Sequence, residues 1–264
     1  MFRIDTHAHV VSHDYPMNPK RRHNSKEAPL EDYLRYHDTF GMTNGVLVQP
    51  STYGFDNTFM NECIAETKGR IHGIIMIDPG FDDAALDAFE KNFAVGVRFS
   101  LFDMSVDELG TPAYQDLIKR LAKRDWIIEA LIKSPDVPAF FKHVAPSGAR
   151  MVINHFSMPD QTLGVNDPSF QTVLKEAENG KVWAKISAPY RCGGLEAAKP
   201  LADALMKKLG PERLLWGCDW PWTQFQDQGY TYAMALDWFE TLIEDETARA
   251  QILGDTAAAF YGFK

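Results

Sequence analysis

The sequence predicts a closed (β/α)8 barrel of the TIM type, in the α/β class. Three observations predict it: eight short apolar runs rich in β-branched residues, a segment of helical periodicity after each run, and a length of 264 residues. The competing architecture is an open, doubly wound sheet, which usually carries a glycine-rich phosphate turn after its first strand. No such turn occurs here, and no linker suggests a second domain. We therefore expect residues 1–264 to form one barrel domain.

Each element of the barrel is predicted from its own local pattern. The strands are expected at residues 3–10, 45–50, 71–78, 95–100, 126–131, 150–155, 182–187 and 214–219. The helices, in which apolar residues recur three and four positions apart, are expected at 30–41, 57–69, 82–93, 113–124, 136–148, 168–179, 195–210 and 230–243. Histidines outside the strand ends, His37 and His72 among them, are expected at the surface.

One connection is longer than the others. Residues 12–29 form a polar, proline-containing segment that leaves the carboxyl end of the first strand. A loop of this length in a compact domain is usually functional or mobile. It carries the only concentrated basic run of the chain, Lys20, Arg21, Arg22 and His23. This run is either a solvated face or a segment that closes over a di- or tricarboxylate.

Charge and cysteine content exclude several classes of protein. The formal net charge is −9, and nucleic-acid binding needs a basic surface, so we expect no nucleic-acid partner. Cys63, Cys192 and Cys218 are odd in number and lack CxxC spacing, which is typical of a reduced, cytoplasmic protein. No window approaches the roughly 18 apolar residues of a membrane span, and the first ten residues do not resemble an export signal. We expect no membrane partner.

Polar residues occupy alternate positions of the first predicted strand. Asp5, His7 and His9 would share one face, and such a histidine pair can serve as a metal site or as an oxyanion clamp. The site of a barrel forms at the carboxyl ends of its strands. Strand six ends at His155 and strand eight at Asp219, and strand eight closes against strand one. We therefore expect His7, His9, His155 and Asp219 to meet, with Asp5 orienting a histidine from below.

Five further residues are candidates for binding the substrate. Arg98 lies in an apolar strand, where a guanidinium needs an anionic partner: a substrate carboxylate or an acidic residue of a neighbouring strand. Tyr190 and Arg191 follow strand seven, and Ser51 and Tyr53 follow strand two. Both pairs could instead belong to ordinary loops or turns. The expected partner is a small anionic molecule.

Several of these segments together resemble a known family. DTHAHV in strand one, VGVRFS in strand four, VINHFSMPD in strand six, VWAKISAPYR in strand seven and LLWGCDWPWT in strand eight are similar to the amidohydrolase superfamily, and within it to the branch of pyrone-dicarboxylate lactonases. The resemblance spans essentially the whole chain. It implies a catabolic hydrolase that opens a small carboxylated or sugar-acid lactone without a metal. It also implies that His7, His9 and His155 surround the substrate carbonyl and that Asp219 handles the water proton.

The chain also departs from the wider superfamily. Binuclear members place histidines on two consecutive later strands, whereas this chain offers only His155 there, and strand seven carries Lys185 and no histidine. A binuclear site is therefore not expected. No cofactor is favoured, and the alternative is a single Zn²⁺ on His7, His9, His155 and Asp219. That alternative corresponds to a decarboxylase or hydratase resembling the aminocarboxymuconate-semialdehyde decarboxylase branch. A lactone isomerase is a third possibility.

Lactone hydrolysis sets three chemical requirements: an activated water, a polarised carbonyl and stabilisation of the tetrahedral oxyanion. We expect partial burial to raise the pKa of Asp219 so that it takes the water proton. The histidines would donate hydrogen bonds to the carbonyl oxygen. The sequence does not identify the lactone. It also leaves the oligomeric state open, and a homo-oligomer is one of the possibilities.

Overall fold

All eight predicted strands form, and they lie in one parallel sheet in chain order. The computed structural model describes residues 2–264. The strands are β1 Ile4–Ala8, β2 Asn44–Val48, β3 Ile71–Ile75, β4 Ala94–Ser100, β5 Ile127–Leu131, β6 Arg150–Ile153, β7 Val182–Ile186 and β8 Leu214–Trp216. The backbone beyond β8 pairs with β1: Asp219 N–H donates to His7 O at 2.9 Å, and His9 N–H donates to Trp220 O at 2.8 Å. The sheet therefore forms a nearly closed barrel, and the predicted fold class is confirmed.

The predicted helices also form, each within a few residues of its expected bounds. They are α1 Leu30–Phe40, α2 Thr58–Glu66, α3 Asp83–Lys91, α4 Pro112–Lys123, α5 Val137–Val144, α6 Pro168–Glu176, α7 Leu195–Leu209 and α8 Tyr232–Leu242. Local sequence explains several starts: proline occupies the first position of α4 and α6, and the Asp82 and Asp167 side chains accept hydrogen bonds from the first turns of α3 and α6. No helix of the described chain combines the length and apolar character needed to cross a bilayer.

Two more helices follow α8 that the sequence analysis did not predict. They are α9 Glu246–Gln251 and α10 Ala257–Tyr261, joined by a π-helical turn at Ile252–Thr256. Residues of α10 pack with Ile4, Ile74 and Val152 in the smaller of two hydrophobic clusters, inside the wall of strands. The larger cluster fills the layer between strands and helices. The amino-terminal end of the barrel is thus covered by the last helix.

The prediction that Asp5 lies on the same face of β1 as His7 and His9 is wrong. The register of β1 against β2 shifts between Asp5 and Ala8, so the alternation breaks there. Asp5 Oδ2 accepts a hydrogen bond from the hydroxyl of Tyr232 on α8, whereas the ring of His7 contacts Lys185 of β7. Asp5 Oδ1 accepts from the backbone N–H groups of His7 and Cys218, both at 3.1 Å. Within the described residues, the Asp5 carboxylate therefore holds backbone groups and forms no hydrogen bond with an imidazole ring.

The surface prediction for His37 and His72 is also wrong, because both rings are buried. His37 on α1 forms no hydrogen bond through either ring nitrogen, and burial lowers its pKa to about 3. The imidazole therefore stays neutral in the folded chain over a pH range in which the unfolded chain binds a proton.

This difference predicts a loss of stability in acid. Because only the unfolded state gains a proton at His37 between pH 6.5 and about 3, the free energy of unfolding should fall as the pH decreases through that window. Replacing His37 by Gln should reduce the slope by up to about 1.4 kcal/mol per pH unit. Urea denaturation at several pH values measures the slope. The partly exposed His143→Gln is the matched control, and equal slopes in His37→Gln and the parent protein would contradict the assignment.

Candidate active site

Three imidazoles and one carboxylate meet at the carboxyl end of the barrel. Asp219 Oδ1 lies 3.5 Å from His7 Nε2, 3.7 Å from His9 Nε2 and 3.7 Å from His155 Nε2. All four side chains are buried. The structure thus brings together the four residues that the sequence analysis placed at one end of the barrel.

Tight backbone geometry holds this cluster. Asp219 and His155 both adopt left-handed conformations, with φ of 59° and 50°, in the loops that follow β8 and β6. Such conformations are uncommon outside glycine and often occur at functional sites. Gly217 passes so close to β1 that a Cβ atom there would lie 2.4 Å from the Cβ of His7. The GCD segment therefore needs glycine for Asp219 to approach His7.

Asp219 is held by two residues that follow β7. Its Oδ2 accepts hydrogen bonds from the Tyr190 hydroxyl and, at 3.0 Å, from Arg191 Nε, while its Oδ1 has no direct partner. Burial alone would raise the pKa of Asp219, but the Arg191 guanidinium and the neighbouring histidines hold it well below its ordinary value. The expectation that burial raises the pKa of Asp219 is therefore wrong. Asp219 is an ionised carboxylate, and its Oδ1 has no hydrogen-bond partner.

The histidines are neutral for a common reason. Burial lowers the pKa of His7 well below its usual range, lowers that of His9, and lowers that of His155 to about 3. His9 Nδ1 lies 2.6 Å from the carbonyl oxygen of Val48, which can only accept, so neutral His9 offers a lone pair at Nε2. His155 Nδ1 lies 2.9 Å from Ser187 Oγ, which can donate or accept. The cluster can therefore offer both donors and acceptors.

A small, partly open pocket leads to the cluster. His9, His155 and Asp219 form part of its wall, together with three guanidinium groups, those of Arg22, Arg98 and Arg191. Asp219 is the single acidic residue of that lining. A chain with a net charge of −9 therefore concentrates positive charge around one cavity.

Arg98 of β4 is the guanidinium without a carboxylate partner. It is 3% exposed, donates through Nη2 to the carbonyl oxygen of Gln49, and has no hydrogen-bond partner at Nε. Arg98 forms no ion pair within residues 2–264: Glu129 pairs with Lys185, and Asp219 pairs with Arg191. The alternative that Arg98 pairs with an acidic residue of a neighbouring strand is therefore wrong. Burial lowers its pKa to about 10, so it remains charged at neutral pH.

The other predicted binding residues differ in position. Ser51 lines the cavity, and Arg191 lines it while also binding Asp219. Tyr53 is outside the lining: its hydroxyl donates to the carbonyl of Ser12 and accepts from the Ser12 N–H, both at 2.7 Å. Tyr190 is also outside the lining, and its hydroxyl is used by Asp219. Tyr53 and Tyr190 therefore support loops and the carboxylate, respectively, in this structure.

The long loop 12–29 lies over the cavity, and its two ends are joined by backbone hydrogen bonds between Val11 and Ala28. Of the basic run, Arg22 and His23 line the cavity, whereas Lys20 and Arg21 do not. Arg22 forms an ion pair with Asp103 after β4, and His23 Nδ1 lies 3.3 Å from Gln224 Nε2 after β8. The loop thus bridges both sides of the opening.

Two buried residues below the cluster, Lys185 of β7 and Glu129 of β5, had no role predicted from the sequence. Lys185 Nζ lies 2.7 Å from Glu129 Oε1 and 3.0 Å from His7 Nδ1. Burial lowers the pKa of Lys185, and the Glu129 carboxylate opposes that shift. The available signal was one basic and one acidic residue in strands that are otherwise apolar.

The spacing of the cluster is compatible with a metal ion. Ligand atoms of His7, His155 and Asp219 all lie within 4.8 Å of one another, and two imidazole nitrogens with one carboxylate oxygen form a donor set that Zn²⁺ accepts. His7 Nε2 and Asp219 Oδ1 are both buried without a hydrogen-bond partner. By distance alone, these residues could hold one divalent ion.

The amidohydrolase family model matches residues 4–263. The chain belongs to the amidohydrolase family. The 2-pyrone-4,6-dicarboxylate hydrolase of Comamonas testosteroni is 25% identical to this amidohydrolase, over 98% of the chain and 89% of that protein. The 4-sulfomuconolactone hydrolase of Hydrogenophaga intermedia is 26% identical, over 98% and 88%. These relatives confirm the prediction of an enzyme of the lactone-hydrolysing class.

Two solved structures agree with this amidohydrolase over its full length. A protein of Acinetobacter baumannii assigned as a 2-pyrone-4,6-dicarboxylic acid hydrolase, solved with citric acid bound, gives a TM-score of 0.95 at 28% identity, and all of both chains is covered. One of Pseudomonas putida with the same assignment gives 0.92 at 33% identity, covering 100% of this chain and 98% of that one.

Proposed function

We propose that this amidohydrolase opens a small lactone that carries at least one carboxylate, by attack of a water molecule that Asp219 deprotonates. One observation carries the choice of substrate: the buried guanidinium of Arg98 has no carboxylate partner in the described chain and lines the same cavity as His9, His155 and Asp219. A planar guanidinium binds a carboxylate through two parallel hydrogen bonds. At the rim, Arg22 and His23 would bind a second negative group, and Arg22 would exchange its ion pair with Asp103 to do so.

The Asp219 carboxylate and the imidazoles have different roles in this reaction. Asp219 Oδ1 takes a proton from water as the water oxygen bonds to the lactone carbonyl carbon. The carbonyl oxygen becomes negative and accepts hydrogen bonds from imidazole N–H groups other than that of His9, whose Nε2 carries a lone pair because its hydrogen is on Nδ1. When the ring C–O bond breaks, the leaving oxygen takes the proton from Asp219, and a hydroxy acid results. The low pKa of Asp219 suits the second half, because a strong acid returns its proton readily.

The names of the relatives support this proposal. Their substrates, as named, are a lactone with two carboxylates and a lactone with a sulfonate, and one similar structure holds citric acid, a tricarboxylate. A mononuclear zinc decarboxylase or hydratase is the second candidate, favoured by the ligand spacing of His7, His155 and Asp219. The first candidate needs no metal.

A panel of lactones tests the proposal. Purified protein is treated with a chelator and assayed by pH indicator against 2-pyrone-4,6-dicarboxylate, a sulfonated muconolactone and an uncharged sugar lactone. We expect acid release from at least one charged lactone and much slower turnover of the uncharged one. Activity that requires added Zn²⁺ and releases carbon dioxide would instead identify the second candidate.

A further inference from the structure

Lys185 and Glu129 form a fully buried ion pair directly below His7. Both side chains are 0% exposed. Lys185 Nζ lies 2.7 Å from Glu129 Oε1, 2.8 Å from the carbonyl oxygen of Thr6 and 3.0 Å from His7 Nδ1. Tyr261 of α10 donates its hydroxyl hydrogen to the same Glu129 oxygen at 2.9 Å. The pair is thus held by residues of β1, β5 and β7 and by the terminal helix α10.

Counting hydrogens assigns the character of each ring nitrogen of His7. An ammonium group has three N–H donors and no acceptor, and a carboxylate and a carbonyl can only accept. Two of the three hydrogens of Lys185 therefore serve Glu129 and Thr6. The third points at His7 Nδ1, which must supply a lone pair. A neutral imidazole with a bare Nδ1 carries its single hydrogen on Nε2.

We propose that Lys185, held in place by Glu129, is a positioning residue that fixes His7 as the tautomer protonated at Nε2. That nitrogen lies 3.5 Å from Asp219 Oδ1, so the hydrogen points into the catalytic cluster. His9 has the opposite tautomer, because its Nδ1 donates to Val48. At Nε2, His7 therefore donates a hydrogen bond, whereas His9 accepts one. A donor at this position can stabilise an oxygen that becomes negative during the reaction.

The same tautomer makes His7 a poor metal ligand. An imidazole that binds Zn²⁺ through Nε2 needs its lone pair on that atom and usually donates a hydrogen from Nδ1 to a second partner. Lys185 instead puts the hydrogen on Nε2 and leaves the lone pair on Nδ1. Its ammonium nitrogen also lies 3.0 Å from His7 Nδ1. The distances in the cluster fit a divalent ion, but the hydrogen on Nε2 does not.

The tautomer can be measured in the absence of any substrate. Protein labelled with ¹⁵N-histidine is analysed at pH 7 by long-range ¹H–¹⁵N correlation, and His7 is assigned by the signals that disappear in His7→Gln. We expect an unprotonated Nδ1 and a protonated Nε2. A protonated Nδ1, alone or in an imidazolium, would overturn the proposal. This measurement does not depend on lactone hydrolysis, so its failure is distinct from failure of the proposed function.

A double variant tests the consequence of removing the pair. Lys185→Met with Glu129→Gln removes both charges together and avoids leaving one buried charge alone. We expect His7 to lose its fixed tautomer and Zn²⁺ to bind at least about tenfold more tightly by isothermal titration, since outer hydrogen-bond partners typically change metal affinity by 10–100-fold. The kinetic expectation rests on the proposed function: kcat should fall about 100-fold with little change in KM.

Lys199→Met is the matched control, because Lys199 is partly exposed on α7 and pairs with Asp203. It should leave the His7 signals, the zinc affinity and the kinetic constants unchanged. A folded double variant with the parent His7 signals and zinc affinity would overturn the proposal. If the double variant does not fold, the tautomer measured in the parent protein still decides it.

Discussion

Replacing Asp219 by Asn should lower kcat by about 10²–10⁴-fold, the contribution usual for a positioned general base. The amide nearly preserves the shape of the carboxylate and can still accept a hydrogen bond from Arg191 or Tyr190 through its oxygen. It cannot take a proton from water. Steady-state hydrolysis of the best lactone from the panel measures the effect, and thermal unfolding establishes that the variant is folded.

Asp203→Asn provides the control for this experiment. Asp203 lies on α7, is largely exposed and pairs with Lys199, so the same chemical change there should leave kcat unaltered. Turnover at the parent level in Asp219→Asn would remove Asp219 from the role of base. A similar loss in both variants would show that the assay reports stability rather than catalysis.

Replacing Arg98 by Met should lower kcat/KM for a carboxylated lactone by about 10²–10³-fold. Loss of one partner from a buried, hydrogen-bonded charge pair costs about 2–5 kcal/mol, and each 1.4 kcal/mol corresponds to a factor of ten. Met is unbranched and can occupy the space beside Met76, which contacts Arg98 Nη2 at 3.8 Å. Kinetics on charged and uncharged lactones measure the effect.

The uncharged lactone is the internal control for Arg98. Its slow turnover should change little in Arg98→Met, because it has no carboxylate to lose. Arg98→Lys keeps the charge but loses the two-pronged geometry, so its activity on the charged lactone should fall between those of the parent and Arg98→Met. An equal loss on both substrates would contradict a role for Arg98 in binding the carboxylate.

The barrel and the meeting of its four polar residues could be predicted because both follow from local patterns and topology. Alternation of apolar runs with helical segments is readable within short windows. Once strand eight is placed beside strand one, His7 and Asp219 must lie at the same end of the barrel.

Features that depend on tertiary contact could not be predicted. The register shift in β1 turns Asp5 away from His7, and nothing in the alternating sequence reports it. The pKa of Asp219 moves down because Arg191 lies 3.0 Å away, whereas burial alone suggested the opposite. Glu129 and Lys185 are 56 positions apart, so their pairing is evident only when the strands are closed.

The terminal helix α10 also has a consequence for how the enzyme is made. Tyr261 donates a hydrogen bond to Glu129, so the buried ion pair below the candidate active site is completed by a residue that is synthesised after all eight strands. A nascent chain lacking α10 would contain all four residues of the cluster but not the tyrosine that donates to Glu129. This ion pair therefore gains its last hydrogen-bond donor only when α10, the last helix to be synthesised, has docked.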